Sequence, residues 1–278
     1  MIEMCAVVLA AGEGRRLRPL TERLAKALCP VGNVPLLDQA LARLAGLGLA
    51  GPDRVAVNAC YLAHQVVAAV AGRTYLSVEP GPRPLGTSGG LARLRDWIGG
   101  RGVLVGNADA YLSGGTVAPL LADWDGHGVR LLGVPGGLTG GLRGGKPAEF
   151  GRHRFAGYSL LPWHRVKALA EEQSDLVRTV WRPAERDGEL TVVEYAGTYL
   201  DTGTPADYLA ANLHAAGPAG LVDRGATVTG TAVGSVVGAG ARVEGTVRRS
   251  VVWPGGYVGR GEVLVDRIRY GRSGTVAG

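Results

Sequence analysis

CAVVLAAGEGRRLRPL, Cys5 to Leu20, opens on a continuous apolar run and turns abruptly into glycine and arginine. An apolar run of this length without alternation, Cys5–Leu9, reads as a strand buried on both faces. Working outward, the same grammar repeats. RVAVN (54–58), TYLSVE (74–79), VLVGNAD (103–109) and VRLLGVP (129–135) read as strands. Between them lie helical patterns: Leu36, Leu37, Leu41 and Leu44 behind Pro35, then 62–71, the glycine-led 86–98, and 116–124. Strand and helix alternate, which predicts a doubly wound α/β domain with a mostly parallel sheet. Ligands of such sheets sit beyond the carboxyl ends of the strands. The loops after Leu9, Glu79 and Val105 are therefore the places for a site.

Further along, 136–145 is nearly all glycine, and is expected to be a mobile loop or tight hairpin. FAGYSLLPW (155–163), a helix over about 162–171 and ELTVVEY (189–195) follow. In YLDTGTPADYLAANL (199–213), Thr204, Pro205 and Asp207 supply a helix cap, a first-turn proline and an acidic third position. The tail then changes character. Val222 and Val228 recur as Val237 and Val243, and again as Val252 and Val258, with glycine at the centre of each unit. A short valine–glycine period of this kind signals a parallel β-helix. The expected division is 1–217 for the α/β domain and 218–278 for the β-helix, which needs capping by the α/β domain or another subunit.

Composition narrows the partners. The chain has 278 residues, 46% of them hydrophobic, and a formal net charge of +6 with only 19% charged residues. That mild basic excess suits an anionic ligand, whereas nucleic acid calls for denser Lys/Arg clusters with interleaved aromatics. Cys5, Cys29 and Cys60 are odd in number and lack CxxC spacing, so neither a disulfide framework nor a zinc site is signalled. His127, His153 and His164 have no metal-ligand spacing and read as structural or surface residues. The first apolar run lacks a basic leader and is too short to span a bilayer, so no membrane association and a cytoplasmic location are expected. Lysine is scarce: only Lys26, Lys146 and Lys167 occur. A lysine in so arginine-rich a chain calls for a reason.

The opening loop admits several readings. A dinucleotide fingerprint needs a third small residue, but Leu17 stands there. A P-loop needs Gly-Lys-Ser/Thr, which does not occur in the loop. A triphosphate held by arginines and backbone N–H groups fits, and so does a plain solvated arginine turn.

The longer stretch LAAGEGRRLRPLTERLAKALCPVGNVPLL resembles the signature of the sugar nucleotidyltransferases, or NDP-sugar pyrophosphorylases. Gly12, Gly14, Arg16, Leu17, Pro19, Leu20, Thr21, Lys26, Leu28, Pro30, Val31 and Pro35 fall in register with G-x-G-T-R-L-x-P-L-T and P-K-x-L-x-P-V-x-x-x-P. Arg15 and Ala25 depart from it. LGTSGGL (85–91), VGNADAYL (105–112), FAGYSLLP (155–162) and YLDTGTPADYLAAN (199–212) are similar to later family segments. The family's Glu-Lys pair has no ordered counterpart, because Lys146 and Glu149 are separated and reversed. The tail resembles the left-handed β-helix of the mannose-1-phosphate guanylyltransferases.

The resemblance implies a Rossmann-like nucleotidyltransferase domain followed by a short left-handed β-helix. It implies transfer of a nucleoside monophosphate from an NTP to a sugar 1-phosphate. GTP and a mannose-type product are favoured, with UTP- or dTTP-dependent versions and a non-catalytic nucleotide-sugar-binding subunit as alternatives. Arg16, Lys26, Asp109 and Asp201 are the expected catalytic residues, the two aspartates holding Mg²⁺, which suits one or two hard carboxylates. The nucleotide falls to Leu9, Ala10, Ala11, Gly12, Gly14, Arg15, Arg16, Lys26, Glu79, Gly86 and Thr87. The sugar falls to Asn107, Asp109, Phe155, Ala156 and Gly157. An acyltransferase run by the β-helix is disfavoured, since three repeats make too short a groove and contain no histidine base. The tail reads instead as an assembly or regulatory surface, through which homo-oligomers would form.

Overall fold

The computed structural model describes residues 3–136 and 149–278. Most of the glycine-rich stretch, and Lys146, lie outside the described residues. The chain divides into two compact units, Met1–Glu13 with Leu37–Tyr199, and Gly14–Leu36 with Leu200–Gly278.

The first unit is built on a seven-stranded sheet. Its strands are β1 (Met4–Leu9), β2 (Val55–Ala59), β3 (Tyr75–Val78), β4 (Gly102–Asn107), β5 (Val129–Pro135), β6 (His153–Leu161) and β7 (Leu190–Glu194). They lie in the order β7-β5-β6-β4-β1-β2-β3. β1 runs parallel to β2 and β4, β2 to β3, and β5 to β7, while β6 is antiparallel to both its neighbours. The crossover helices include α1 (Leu36–Ala45), α2 (Ala63–Val70) and α3 (Gly86–Arg93). The expected double burial of β1 holds, for Cys5, Ala6, Val7 and Val8 are fully buried. Val7, Val105, Leu131 and Leu161 from the sheet close a core with Leu91, Leu94 and Ile98.

Two helices differ from the sequence expectation. At 116–124 only Ala118–Leu120 is helical, as a 3-10 turn with Pro119 inside it, and the chain continues as a turn to Asp123 at φ 51°. A proline there removes an amide donor, and a left-handed residue ends any continuation. The helix expected over about 162–171 is shortened to Trp163–Val166. Conversely, the chain forms a helical stretch from Val177 to Arg186, π-wound in its first part, where the sequence pattern predicts no helix. No helix of the described residues is long and apolar enough to cross a membrane.

The second unit contains α4 (Pro205–Ala216) and a left-handed parallel β-helix. Val222 pairs with Val237 and Val237 with Val252, and Val228, Val243 and Val258 stack likewise, so the repeat read in sequence is the structural register. A third face stacks Thr231–Val233 on Thr246–Arg248 on Val263–Val265. Val237, Val243, Val247, Val252, Val258 and Leu264 fill the interior. Each buried aliphatic side chain of this kind contributes about 1.5–3 kcal/mol of transfer free energy. The last coil is longer, since Thr246 pairs with Val263 and Val251 with Ile268. Gly274–Ala277 then adds antiparallel to Arg267–Tyr270 and closes that end, as a solenoid terminus requires.

Candidate active site

Parallel pairing sets the carboxyl ends of three strands level, with Leu9 in register with Asn58 on one side and Asn107 on the other. The chain leaving β1 is tied down there. The Ala108 N–H donates to the Leu9 carbonyl at 3.1 Å, the Tyr61 N–H to the Ala11 carbonyl at 3.4 Å, and the Ala10 N–H to Asn58 Oδ1 at 2.7 Å. Ala10 and Ala11 are buried. Gly12 is exposed, and a Cβ built on it meets nothing within 4 Å. No protein neighbour and no left-handed backbone demands a glycine at this position, which leaves open room directly beside the main chain.

Asn58 passes the connection on. Its Nδ2 donates to Glu79 Oε1 at 2.7 Å, and Glu79 Oε2 accepts the Leu85 N–H at 2.7 Å. Burial pushes the Glu79 carboxyl above its ordinary value, opposed by those two hydrogen bonds and by the charge of Arg93. The start of α3 is packed just as tightly. A Cβ on Gly86 would lie 2.3 Å from the Ser174 carbonyl oxygen, and one on Gly89 would lie 2.1 Å from that of Glu172. Thr87 Oγ1 accepts the Leu176 N–H at 2.9 Å. The glycines of LGTSGGL thus admit the 172–176 segment, and Thr87 fastens it.

Asp109 sits half-buried in the turn between β4 and the strand Ala110–Ser113. Gly157 faces that strand: its φ is 83°, and a Cβ there would come 2.4 Å from Ala110 Cβ. Any side chain would push β6 away from the residue that follows Asp109. The neighbouring Ala156 is fully buried, and the Phe155 ring lies 4.4 Å from that of Trp181. The Phe155 N–H donates to Glu149 Oε2 at 3.3 Å. Tyr158, completely buried, occupies the space a side chain at Gly106 would need and accepts from Arg43 Nη1 at 3.2 Å.

In the second unit, Gly14 turns the loop at φ 62°, and its carbonyl accepts the Leu17 N–H at 2.9 Å and the Thr21 hydroxyl at 2.8 Å. A Cβ on Gly14 would lie 3.1 Å from Lys26 Cβ, so the lysine stem packs against this turn. Arg15 and Arg16 are exposed on the 3-10 turn Arg15–Leu17. Arg16 Nη2 lies 4.0 Å from Asp201 Oδ2, with the two side chains 66% and 20% exposed. Gly203 makes that approach fit, since a Cβ there would stand 2.8 Å from Arg16 Nη2 and 2.9 Å from Asp201 Oδ1. At 4.0 Å, with the arginine largely in solvent, this pair adds at most about 0–1 kcal/mol to stability.

The helix behind Asp201 begins as the sequence predicts: Thr204 Oγ1 accepts the Asp207 N–H at 3.2 Å and Pro205 holds the first turn. Two residues of α4 fasten the signature segment. The Tyr208 hydroxyl donates to the Pro30 carbonyl and accepts Trp253 Nε1–H at 3.0 Å. Asn212 Oδ1 accepts the Gly32 N–H at 3.1 Å. Asn33 Nδ2 in turn donates to the Val237 carbonyl at 3.0 Å.

Asp109 belongs to the first unit, whereas Arg16, Lys26 and Asp201 belong to the second. Among the described residues no three His, Cys, Asp or Glu side chains cluster into a metal-binding group. The acidic donors available at these loops are single hard carboxylates, a set that suits Mg²⁺ completed by water and phosphate oxygens rather than an all-protein cage. The thiols are poor nucleophiles here: burial pushes Cys5 and Cys29 up to about 12. Sequence reasoning missed Asn58; its signal is a polar residue closing the apolar strand RVAVN.

Residues 6–154 match the MobA-like NTP transferase domain. Over 111 residues, 38% of this chain and 47% of the relative, the chain is 36% identical to an N-acetylmuramate alpha-1-phosphate uridylyltransferase of Neisseria meningitidis. It is 33% identical over 120 residues to a mannose-1-phosphate guanylyltransferase of Mycobacterium tuberculosis, covering 42% of this chain and 32% of the relative. A Schizosaccharomyces pombe mannose-1-phosphate guanyltransferase is 28% identical over 234 residues, 74% of this chain and 62% of the relative. The chain spans about half or less of the length of the first two. In fold it is similar to a solved Bacillus anthracis protein described as a putative glucose-1-phosphate thymidylyltransferase in complex with sucrose, with a TM-score of 0.63, 19% identity, and coverage of 76% of this chain and 95% of that one.

Proposed function

The chain belongs to the MobA-like NTP transferase family, and from that premise we propose that it joins a nucleoside monophosphate to a sugar 1-phosphate and releases pyrophosphate. A non-bridging oxygen of the sugar phosphate attacks the α-phosphorus of the NTP. The bond from that phosphorus to the α–β bridging oxygen breaks, and its electron pair leaves with pyrophosphate. The attacking group is already an anion, so no general base is required. The protein's part is to bring two polyanions together and neutralise them.

Arg16 grips the β- and γ-phosphates and stabilises the leaving pyrophosphate, a task for which a guanidinium fork is suited. Lys26 supplies a compact charge between the α-phosphate and the sugar phosphate. Leu9 to Gly12, with Gly14, Arg15, Gly86 and Thr87, form the nucleotide side, and Glu79 supports it from beneath. Asn107 and Phe155 to Gly157 form the sugar side. Asp109 and Asp201 would hold Mg²⁺, which when bound adds charge neutralisation at the reacting phosphates. The chemistry is assigned to 1–217, and 218–278 forms the appended β-helix, the surface through which copies associate.

The observation that carries this reading is Arg16 beside Asp201 across Gly203, an exposed guanidinium facing a half-buried carboxylate with no side chain between them. GTP and a mannose-type phosphate are the favoured pair. The β-helix tail and the guanylyltransferase names of two relatives support that choice; the uridylyl and thymidylyl names of others make UTP and dTTP the controls. The test is a matrix of GTP, UTP, dTTP, ATP and CTP against hexose 1-phosphates with Mg²⁺, read by pyrophosphate release. GTP with mannose 1-phosphate should give the largest signal. Asp109→Asn or Asp201→Asn should abolish it while the fold persists. No release from any pair would overturn the reading.

A further inference from the structure

We propose that Asn58 is a positioning residue which, with Glu79, sets the spacing between two backbone walls of the nucleotide site, the Leu9–Gly12 turn and the Leu85–Thr87 turn. The proposal rests on the nucleotide-binding reading above. Asn58 is the penultimate residue of β2, beside Leu9 of β1 and Ser77 of β3. It is 2% exposed and Glu79 is 4% exposed. The links converge on the Glu79 carboxylate: Ala10 N–H to Asn58 Oδ1, Asn58 Nδ2–H to Glu79 Oε1, and, from the other side, Leu85 N–H to Glu79 Oε2, each at 2.7 Å. The Glu79 main chain is fixed as well, its N–H donating to the Ala59 carbonyl at 2.9 Å.

Two requirements follow from the donor–acceptor inventory. The residue at 58 must accept from one neighbour and donate to the next, which an amide does. The residue at 79 must accept twice, which a carboxylate does. Helix α3 seals the contact, for a Cβ on Gly90 would lie 2.6 Å from Asn58 Nδ2 and 2.7 Å from Glu79 Oε1. With water shut out, each link is strong and each loss is felt. The turn after β1 and the turn before α3 are thereby held by side chains that themselves stay beneath the surface.

Swapping the polarity tests this. Asn58→Asp places two carboxylates in contact, and Glu79→Gln leaves one N–H without an acceptor. Each single variant should raise KM for the NTP by about 10- to 100-fold, the range corresponding to one unsatisfied buried group. KM for the sugar phosphate and kcat should change much less. The double variant Asn58→Asp with Glu79→Gln restores every link, with Ala10 N–H and Gln Nε2–H both donating to the Asp carboxylate and Leu85 N–H to Gln Oε1. It should recover most of the NTP affinity even where a single variant folds poorly. An active wild type whose single variants leave NTP KM unchanged, or raise both KM values alike, would overturn the proposal alone, as would a double variant no better than the singles. A wild type that neither binds nor turns over any NTP removes the premise together with the proposal.

Discussion

Gly203→Ala separates function from folding more cleanly than removing a charge. The new Cβ would stand 2.8 Å from Arg16 Nη2 and 2.9 Å from Asp201 Oδ1. Ordinary contact begins near 3.4 Å, so the guanidinium must retreat by about 0.6 Å or the carboxylate must turn away. Both obstacles are the ends of side chains, and the Gly203 backbone is outside the left-handed region, so the fold accommodates alanine easily. The displaced ion pair is long and its arginine is exposed, so it accounts for about 0–1 kcal/mol, equivalent to a shift of roughly 2–4 °C or less in Tm. Catalysis has no such tolerance. Misplacement approaching 1 Å in a positioned group lowers rates by on the order of 10²-fold. We expect kcat/KM for the NTP to fall about 10- to 100-fold, or ~1.4–2.7 kcal/mol of transition-state stabilisation. The assay is pyrophosphate release at saturating sugar phosphate, paired with a thermal melt. Wild-type kcat/KM in Gly203→Ala, or a loss matched by a collapse in Tm, would refute the reasoning.

Tyr208→Phe should destabilise the protein by about 1–3 kcal/mol in urea titration, because the Trp253 Nε1–H and the Pro30 carbonyl each lose a buried partner. Gly89→Ala should lower stability by more than about 2 kcal/mol, since its Cβ meets the Glu172 carbonyl oxygen at 2.1 Å. A melt within 2 °C of wild type, well under the shift of about 4 °C or more for that energy, would count against it. Burial raises the Glu79 carboxyl, so the folded state holds its proton more tightly than the unfolded chain. Stability from this group is therefore lost as pH rises from the ordinary glutamate value through the raised one. Glu79→Gln should flatten that part of the curve when unfolding free energy is measured between pH 4 and 8.

Much of the fold was legible because its signals are periodic. Uninterrupted apolar strands such as Cys5–Leu9 announce burial on both faces, and the recurrence of Val222, Val237 and Val252 is the pairing register itself. The cap at Thr204 was legible because capping chemistry is local. What stayed hidden depends on distant partners. Nothing in HRFAGYSLL declares that β6 runs antiparallel between β4 and β5. The 177–186 helical stretch lacks a clear stripe, and its Pro183 disguises a first turn. In the candidate site, the motif residues and their expected roles come from resemblance, but the packing around each of them does not. Glycines that read alike in LGTSGGL and LAAGEG differ in their surroundings: Gly89 makes room for a carbonyl, Gly12 for open space. Asn58 and Tyr208 look unremarkable in sequence because their partners lie far along the chain.

The fastening of Gly32, Asn33 and Pro30 has a consequence for how this protein tolerates dissection. The segment carrying Arg16 and Lys26 is anchored on α4 and on Val237 of the solenoid, and Trp253 of the solenoid braces the Tyr208 hydroxyl that holds Pro30. A version ended after Gly217 keeps every residue assigned to chemistry, yet surrenders two of those moorings. The tail is thus a keystone for the loop that carries Arg16 and Lys26 rather than a detachable ornament, and cassette-style exchange of tails between relatives should carry the Pro30–Asn33 turn along with it.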